Sequence, residues 1–90
     1  MQAEQLWLML IDLARRLDIE VRLERLEAPE LVLAGGGLCL IRGRRVVFID
    51  KHLNQEARLR QLAVALHGQD WEQHHMLPAL RVFLDSLEGA

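Results

Sequence analysis

Residues 38–50 decide the fold of this chain, and they read Leu-Cys-Leu-Ile-Arg-Gly-Arg-Arg-Val-Val-Phe-Ile-Asp. Two apolar runs, 38–41 and 46–49, flank a short basic segment and have the β-branched and aromatic content of strands. Gly43, within the basic segment, supplies the positive φ angle that a tight hairpin turn requires. The stretch therefore predicts a β-hairpin whose strands are apolar on both faces.

The residues before the hairpin predict a helix and one further strand. Helical spacing of apolar side chains predicts a helix over 3–17, which Asp18 ends. From Ile19 to Glu24 apolar and charged residues alternate, as they do in a strand with one solvated face. Residues 31–33, Leu-Val-Leu, either extend the sheet or pack in the connecting loop.

The residues after the hairpin predict two helices. Asn54 suits the N-cap of the first, and Gly68 suits its end in the left-handed conformation. Pro78 suits the first position of the second helix. We therefore expect a single α+β domain over residues 1–90, with an N-terminal helix, a three-stranded antiparallel β-meander and two C-terminal helices (αβββαα).

Composition narrows the class of protein. The chain has 90 residues, with 11 basic and 13 acidic side chains, a net charge of −2 and 4% aromatic residues. This balance argues against nucleic-acid binding, which favours a basic excess and stacking aromatics. The apolar run 6–11 is too short for a secretory signal or a membrane span. Since Cys39 is the only cysteine, we expect a cytoplasmic protein without disulfides or membrane contact.

The apolar surface exceeds what one core needs. In the first helix, Trp7 and Ile11 widen the apolar arc to roughly 200°, and Leu8 lies beyond it. Either the three helices cover both faces of the sheet within one monomer, or a C2 dimer buries the surplus. A different small protein is a third possible occupant. We take Trp7, Leu8 and Ile11 as the candidate interface.

Histidines and the cysteine offer two enzymatic hypotheses. His67, His74 and His75 could converge on a metal ion across the turn between the last two helices. No HExxH, CxxC or HxH pattern supports that convergence, and histidines in polar turns are usually solvated. Cys39 could act as a nucleophile, but a thiol in the middle of an apolar strand is more often core material.

Two further patterns have simple explanations. Arg42, Arg44 and Arg45 crowd the hairpin tip, where they could bind an anion or simply keep an apolar hairpin soluble. The triglycine at 35–37 precedes a strand, whereas a phosphate-binding loop precedes a helix. We interpret it as a hinge or bulge.

Two resemblances add to these interpretations. Residues 36–50 and the segment beginning Pro78-Ala79-Leu80-Arg81 resemble a group of small bacterial proteins of unknown function, which implies a bacterial, stand-alone protein. Residues 62–68, Leu-Ala-Val-Ala-Leu-His-Gly, are similar to the HExxH helix of the ImmA/IrrE-type zinc peptidases. Here Val64, Ala65 and Gly68 replace the two ligands and the glutamate, which implies a metal-free relative that acts by binding.

These patterns predict a small non-catalytic protein-interaction module that forms a homodimer and needs no cofactor. We assign no catalytic residue. The first alternative is a metal-dependent or thiol enzyme that uses His67, His74 and His75. The second is an anion or nucleic-acid binder that uses the arginines of the hairpin tip.

Overall fold

A computed structural model of the chain describes residues 2–24 and 38–87. The elements are α1 (Ala3–Arg16), β1 (Ile19–Glu24), β2 (Leu38–Ile41), β3 (Arg44–Asp50), α2 (Gln55–His67) and α3 (Pro78–Asp85). The α+β class and the order of the described elements are confirmed. The possible strand at 31–33 and the hinge at 35–37 lie outside the described residues. Among those that are described, no helix combines the length and the apolar character needed to cross a membrane.

The sheet is mixed, so the predicted antiparallel meander is wrong. Its described strands lie in the order β1-β3-β2, with β1 parallel and β2 antiparallel to β3. The prediction assumed that strands consecutive in sequence are neighbours in space, which is common but not general. The 13 residues between β1 and β2 form a connection long enough to carry the chain past the position that β3 takes.

β3 lies at the centre of the described sheet, where both of its apolar faces are covered. Val46, Val47 and Ile49 are buried, although Val46 points to the opposite face from the other two. The guanidinium of Arg22, on the neighbouring β1, lies 5.6 Å from the ring centre of Phe48 on the Val46 face. The predicted two-faced hairpin strand thus occupies the position that buries both of its faces.

The local signals at turns and helix ends are confirmed with one exception. Gly43 has φ +80° and the preceding Arg42 has φ +51°, as a type I′ hairpin turn requires. The Asn54 side chain accepts a hydrogen bond of 2.8 Å from the amide of Ala57, and Pro78 opens α3. Gly68, however, has φ −76° at the end of α2, so the predicted left-handed ending is wrong there.

One hydrophobic core joins all three helices to a single face of the sheet. It contains Leu10 and Leu13 of α1, Leu62 and Leu66 of α2, Leu80 and Leu84 of α3, and Val47 and Ile49 of β3. Val46 is buried outside this core. The described helices thus share one core with the Val47 and Ile49 face of the sheet.

Trp71 is buried in the core and lies in the segment that joins α2 to α3. The side chain is 1% exposed, and its Nε1 donates a hydrogen bond of 3.1 Å to the carbonyl of His67. The guanidinium of Arg81 lies 5.5 Å from the ring centre, and Arg81 also donates to the carbonyl of His74 at 3.1 Å. These contacts fix the segment between α2 and α3 without regular secondary structure.

Candidate interaction surface

An apolar strip runs along the outer side of α1 and β1. Ile11 lines one recess together with Ile19 and Val21. The two-residue connection after α1 reverses the chain, so α1 and β1 run in opposite directions. One helical turn and two strand residues each span about 6 Å, which places Trp7 at the level of Leu23. We call Trp7, Ile11, Val21 and Leu23 the α1–β1 flank.

The side chains of this flank are only partly covered. Trp7, Ile11 and Val21 are half-buried against the core, and Leu23 is 44% exposed. A leucine on the core face of a strand is normally enclosed by the layer above it. Here α1 covers the start of β1 and leaves its end open. The core thus continues outward into a surface that solvent reaches.

Along the same side, the backbone of β1 is paired with no other described strand. The amide of Lys51, just beyond β3, donates to the carbonyl of Glu24 at 3.0 Å. A parallel ladder engages both backbone groups of every second residue, so Glu20, Arg22 and Glu24 bond to β3. The N–H and C=O groups of Ile19, Val21 and Leu23 then point away from the sheet, where no described residue pairs with them.

Charged side chains alternate along the other face of β1. The Nε of Arg22 lies 2.7 Å from a carboxylate oxygen of Glu24 and 3.6 Å from one of Glu20. All three side chains are between 40 and 49% exposed, so each remains accessible to a further partner. The sequence carries the signal for this surface in the pattern Ile-Glu-Val-Arg-Leu-Glu, which by itself indicates only a strand with one wet face.

Leu8 lies apart from the other two candidate interface residues. It is 62% exposed and lines a groove between α1 and α3 with Met9, Met76 and Leu77. An ion pair of 3.2 Å joins Asp12 and Arg16 on the α1 side of this groove. The predicted patch therefore divides, with Trp7 and Ile11 on the α1–β1 flank and Leu8 in the groove between α1 and α3.

The three arginines near the hairpin tip also separate. Arg42 and Arg44 are exposed at or beside the turn. Arg45 instead turns inward, where it donates to the carbonyl of Leu17 and, at 3.0 Å, to the side-chain oxygen of Gln69. The candidate anion site therefore retains two exposed arginines at the tip, while the third joins the end of α1 to the end of α2.

The histidines take up different surroundings. The His67 ring lies 6.0 Å from that of Trp71, and its Nε2 is buried without a hydrogen-bond partner. His74 is half-buried and His75 is exposed. Within residues 2–24 and 38–87, no group of three or more His, Cys, Asp or Glu side chains could hold a metal ion. The metal hypothesis thus finds no ligand set in the described part of the chain.

The remaining candidate residues are Cys39 and the second half of α2. Cys39 lies half-buried in β2, directly opposite Val46 of β3. In the second half of α2, Val64 is 36% exposed and Ala65 is buried, and neither side chain can bind a metal. The cysteine is placed as a residue of the sheet, next to one of the most buried positions of β3.

Comparison of the chain with protein-family models, with curated proteins and with solved structures finds no match. The two resemblances noted from the sequence therefore stay predictions. The surfaces of the molecule itself remain as the guide to its function.

Proposed function

We propose that this protein is a small non-catalytic interaction module that works as a homodimer through its α1–β1 flank. One observation carries the proposal. Exposed and half-buried apolar side chains lie directly beside a strand edge whose backbone groups have no partner among the described residues.

The apolar side chains of the flank and the backbone edge of β1 are both stabilised by the same kind of partner. Apolar area removed from water contributes about 25 cal/mol per Å². An open strand edge offers a row of donors and acceptors that a second strand satisfies. A second copy of the chain supplies both at once, and a C2 arrangement uses the same patch on each subunit.

The use of the inward-facing arginines supports a non-catalytic role. Arg45, Arg58 and Arg81 each donate to backbone carbonyls, with Arg58 reaching the carbonyl of Leu53 at 2.9 Å. Such contacts satisfy the backbone at the ends of helices and loops. These cations thus hold the fold together.

The oligomeric state of the purified chain tests the proposal. We expect a dimer by sedimentation velocity, and a monomer for Trp7→Glu and for Leu23→Lys. The second variant guards against misfolding, because Leu23 is already 44% exposed in the single chain. Val82→Glu is the matched control, since Val82 is 67% exposed on α3 and lies outside the flank.

The possible results of these measurements distinguish the proposal from its alternatives. Dimers of the native chain and of Val82→Glu, with folded monomers of the two flank variants, support the proposal. A native chain that stays monomeric at high concentration contradicts it. A dimer that Leu8→Glu dissociates but Leu23→Lys does not would place the interface on the α1–α3 groove and overturn the assignment of the flank.

A further inference from the structure

We infer that the two copies join by antiparallel pairing of their β1 strands, with the two-fold axis passing through Val21. This inference rests on the proposed homodimer and specifies its register. It predicts a continuous sheet that contains the three described strands of each copy, with the two β1 strands as neighbours at the two-fold axis.

The backbone restricts which residues can face one another. Since only Ile19, Val21 and Leu23 point their N–H and C=O groups outward, hydrogen-bonded pairs across the axis must form between these residues. An axis at Val21 sets Val21 against the partner's Val21, and Ile19 against the partner's Leu23. Every outward backbone group of β1 is then paired.

The charges select this register over its neighbours. With the axis at Val21, Glu20 lies opposite the partner's Arg22, and Arg22 lies opposite the partner's Glu20. These are the non-hydrogen-bonded positions, where side chains on adjacent antiparallel strands lie closest. Moving the axis to Glu20 or to Arg22 would instead set two like charges directly opposite each other, which is destabilising.

An axis at Leu23 is the remaining register with opposite charges. It pairs Arg22 with the partner's Glu24 but sets Ile19 opposite residue 27, beyond the end of β1. Only the second half of the strand would then pair. The register at Val21 pairs the strand from Ile19 to Leu23.

The apolar side chains of the flank agree with this arrangement. Val21 and Leu23 lie on the face of the sheet that α1 covers, and Trp7 and Ile11 lie above that face. Adjacent strands are about 4.8 Å apart, so pairing at β1 brings the two flanks together across the axis. The exposed Leu23 of one copy then lies beside the partner's Ile19, under the two α1 helices.

The pattern favours a second copy over a foreign strand. A homotypic antiparallel pair reads one sequence against itself, and Glu20-Val21-Arg22 is complementary to its own reverse in charge. A strand from another protein would have to carry the same alternation in the same register. Self-pairing needs only the sequence that β1 already has.

Two charge reversals test the register. Glu20→Arg sets the new arginine opposite the partner's Arg22, and Arg22→Glu sets the new glutamate opposite the partner's Glu20. Because the two-fold axis doubles each contact, we expect either variant alone to raise the dimer dissociation constant on the order of 10- to 100-fold. Mixed in equal amounts, the variants form a heterodimer in which both cross-strand pairs again join opposite charges.

Both cross-strand pairs of that heterodimer unite an arginine with a glutamate. It is tighter than either variant homodimer, since no like charges face each other across the axis. Sedimentation velocity and native mass spectrometry detect it.

Glu24→Arg is the matched control, because it makes the same change of charge one pair further along the strand. We expect it to remain a dimer, whereas an axis at Leu23 would make it a monomer. Homodimers of both Glu20→Arg and Arg22→Glu would overturn the register and leave the homodimer standing. A monomeric native chain would overturn both proposals, and folded monomers that do not associate on mixing would overturn the register alone.

Discussion

The guanidinium of Arg45 donates a hydrogen bond to the carbonyl of Leu17, the residue that caps the C-terminus of α1. The same side chain reaches the Gln69 side-chain oxygen, two residues beyond the end of α2. A residue at the start of the central strand thus satisfies the end of one helix and contacts the chain that leaves another. The charged group of Arg45 therefore helps to hold the fold together, although the sequence places this residue in a run of arginines that are expected to be solvated.

Replacing Arg45 should therefore weaken the fold. In Arg45→Met the aliphatic stem remains but the Leu17 carbonyl loses its donor, and we expect unfolding free energy to fall by about 1 to 3 kcal/mol. Urea denaturation followed by circular dichroism measures the change. The neighbouring Arg44→Met should stay within about 0.5 kcal/mol of the native chain, because Arg44 is exposed. Equal losses in the two variants would contradict the role given to Arg45.

Trp71 should be among the most costly positions to truncate. Its side chain is 1% exposed and is held by the His67 carbonyl and the Arg81 guanidinium. We expect Trp71→Ala to lower the unfolding free energy by about 3 to 5 kcal/mol. Trp71→Phe, which keeps a ring but loses the Nε1–H donor, should cost clearly less. All variants are compared at one protein concentration, because the stability of a dimer depends on it.

The N-cap of α2 gives a smaller and cleaner effect. Asn54→Ala removes the acceptor for the Ala57 amide, and we expect a loss of about 1 kcal/mol. Asn54→Ser keeps a capping oxygen and should retain most of the stability. Chemical denaturation of the three proteins side by side provides the measurement, and an alanine variant as stable as the native chain would argue against the cap.

The hairpin turn offers a stabilising change. Arg42 has φ +51°, a conformation that asparagine adopts more readily than arginine. We expect Arg42→Asn to raise the unfolding free energy by about 0.5 kcal/mol, since Asn-Gly is a favoured type I′ pair. Gly43→Ala should do the reverse and lose about 1 kcal/mol at φ +80°. Thermal unfolding midpoints that move in opposite directions would support this interpretation.

Local signals in the sequence predicted the elements well, because each depends on a few neighbouring residues. Gly43 and Asn54 act through their own backbone or side-chain geometry, and the structure places both as expected. The prediction for Gly68 was wrong because a glycine permits the left-handed conformation without requiring it. After α1 it is Asp18, with φ +60°, that adopts this conformation.

The order of the strands depends on distant pairing, which no local pattern encodes. β1 and β3 pair over a separation of 26 residues, and the sequence contains no marker of that choice. The two-faced apolar pattern of 46–49 did contain a clue, since such a strand belongs in the interior of a sheet. For the candidate surface, helical periodicity suggested Trp7 and Ile11, while the contribution of β1 required knowledge of which described strands pair.

The central position of β3 has a consequence for how the chain folds during synthesis. α1 and β1 leave the ribosome first, but the strand that β1 pairs with is complete only at Asp50. The hairpin of β2 and β3 closes over two residues and forms quickly, so it can serve as the template onto which the earlier segments dock. Until then the apolar side of α1 lacks the cover that α2 and the sheet supply in the folded chain, and it stays exposed to other nascent or unfolded segments.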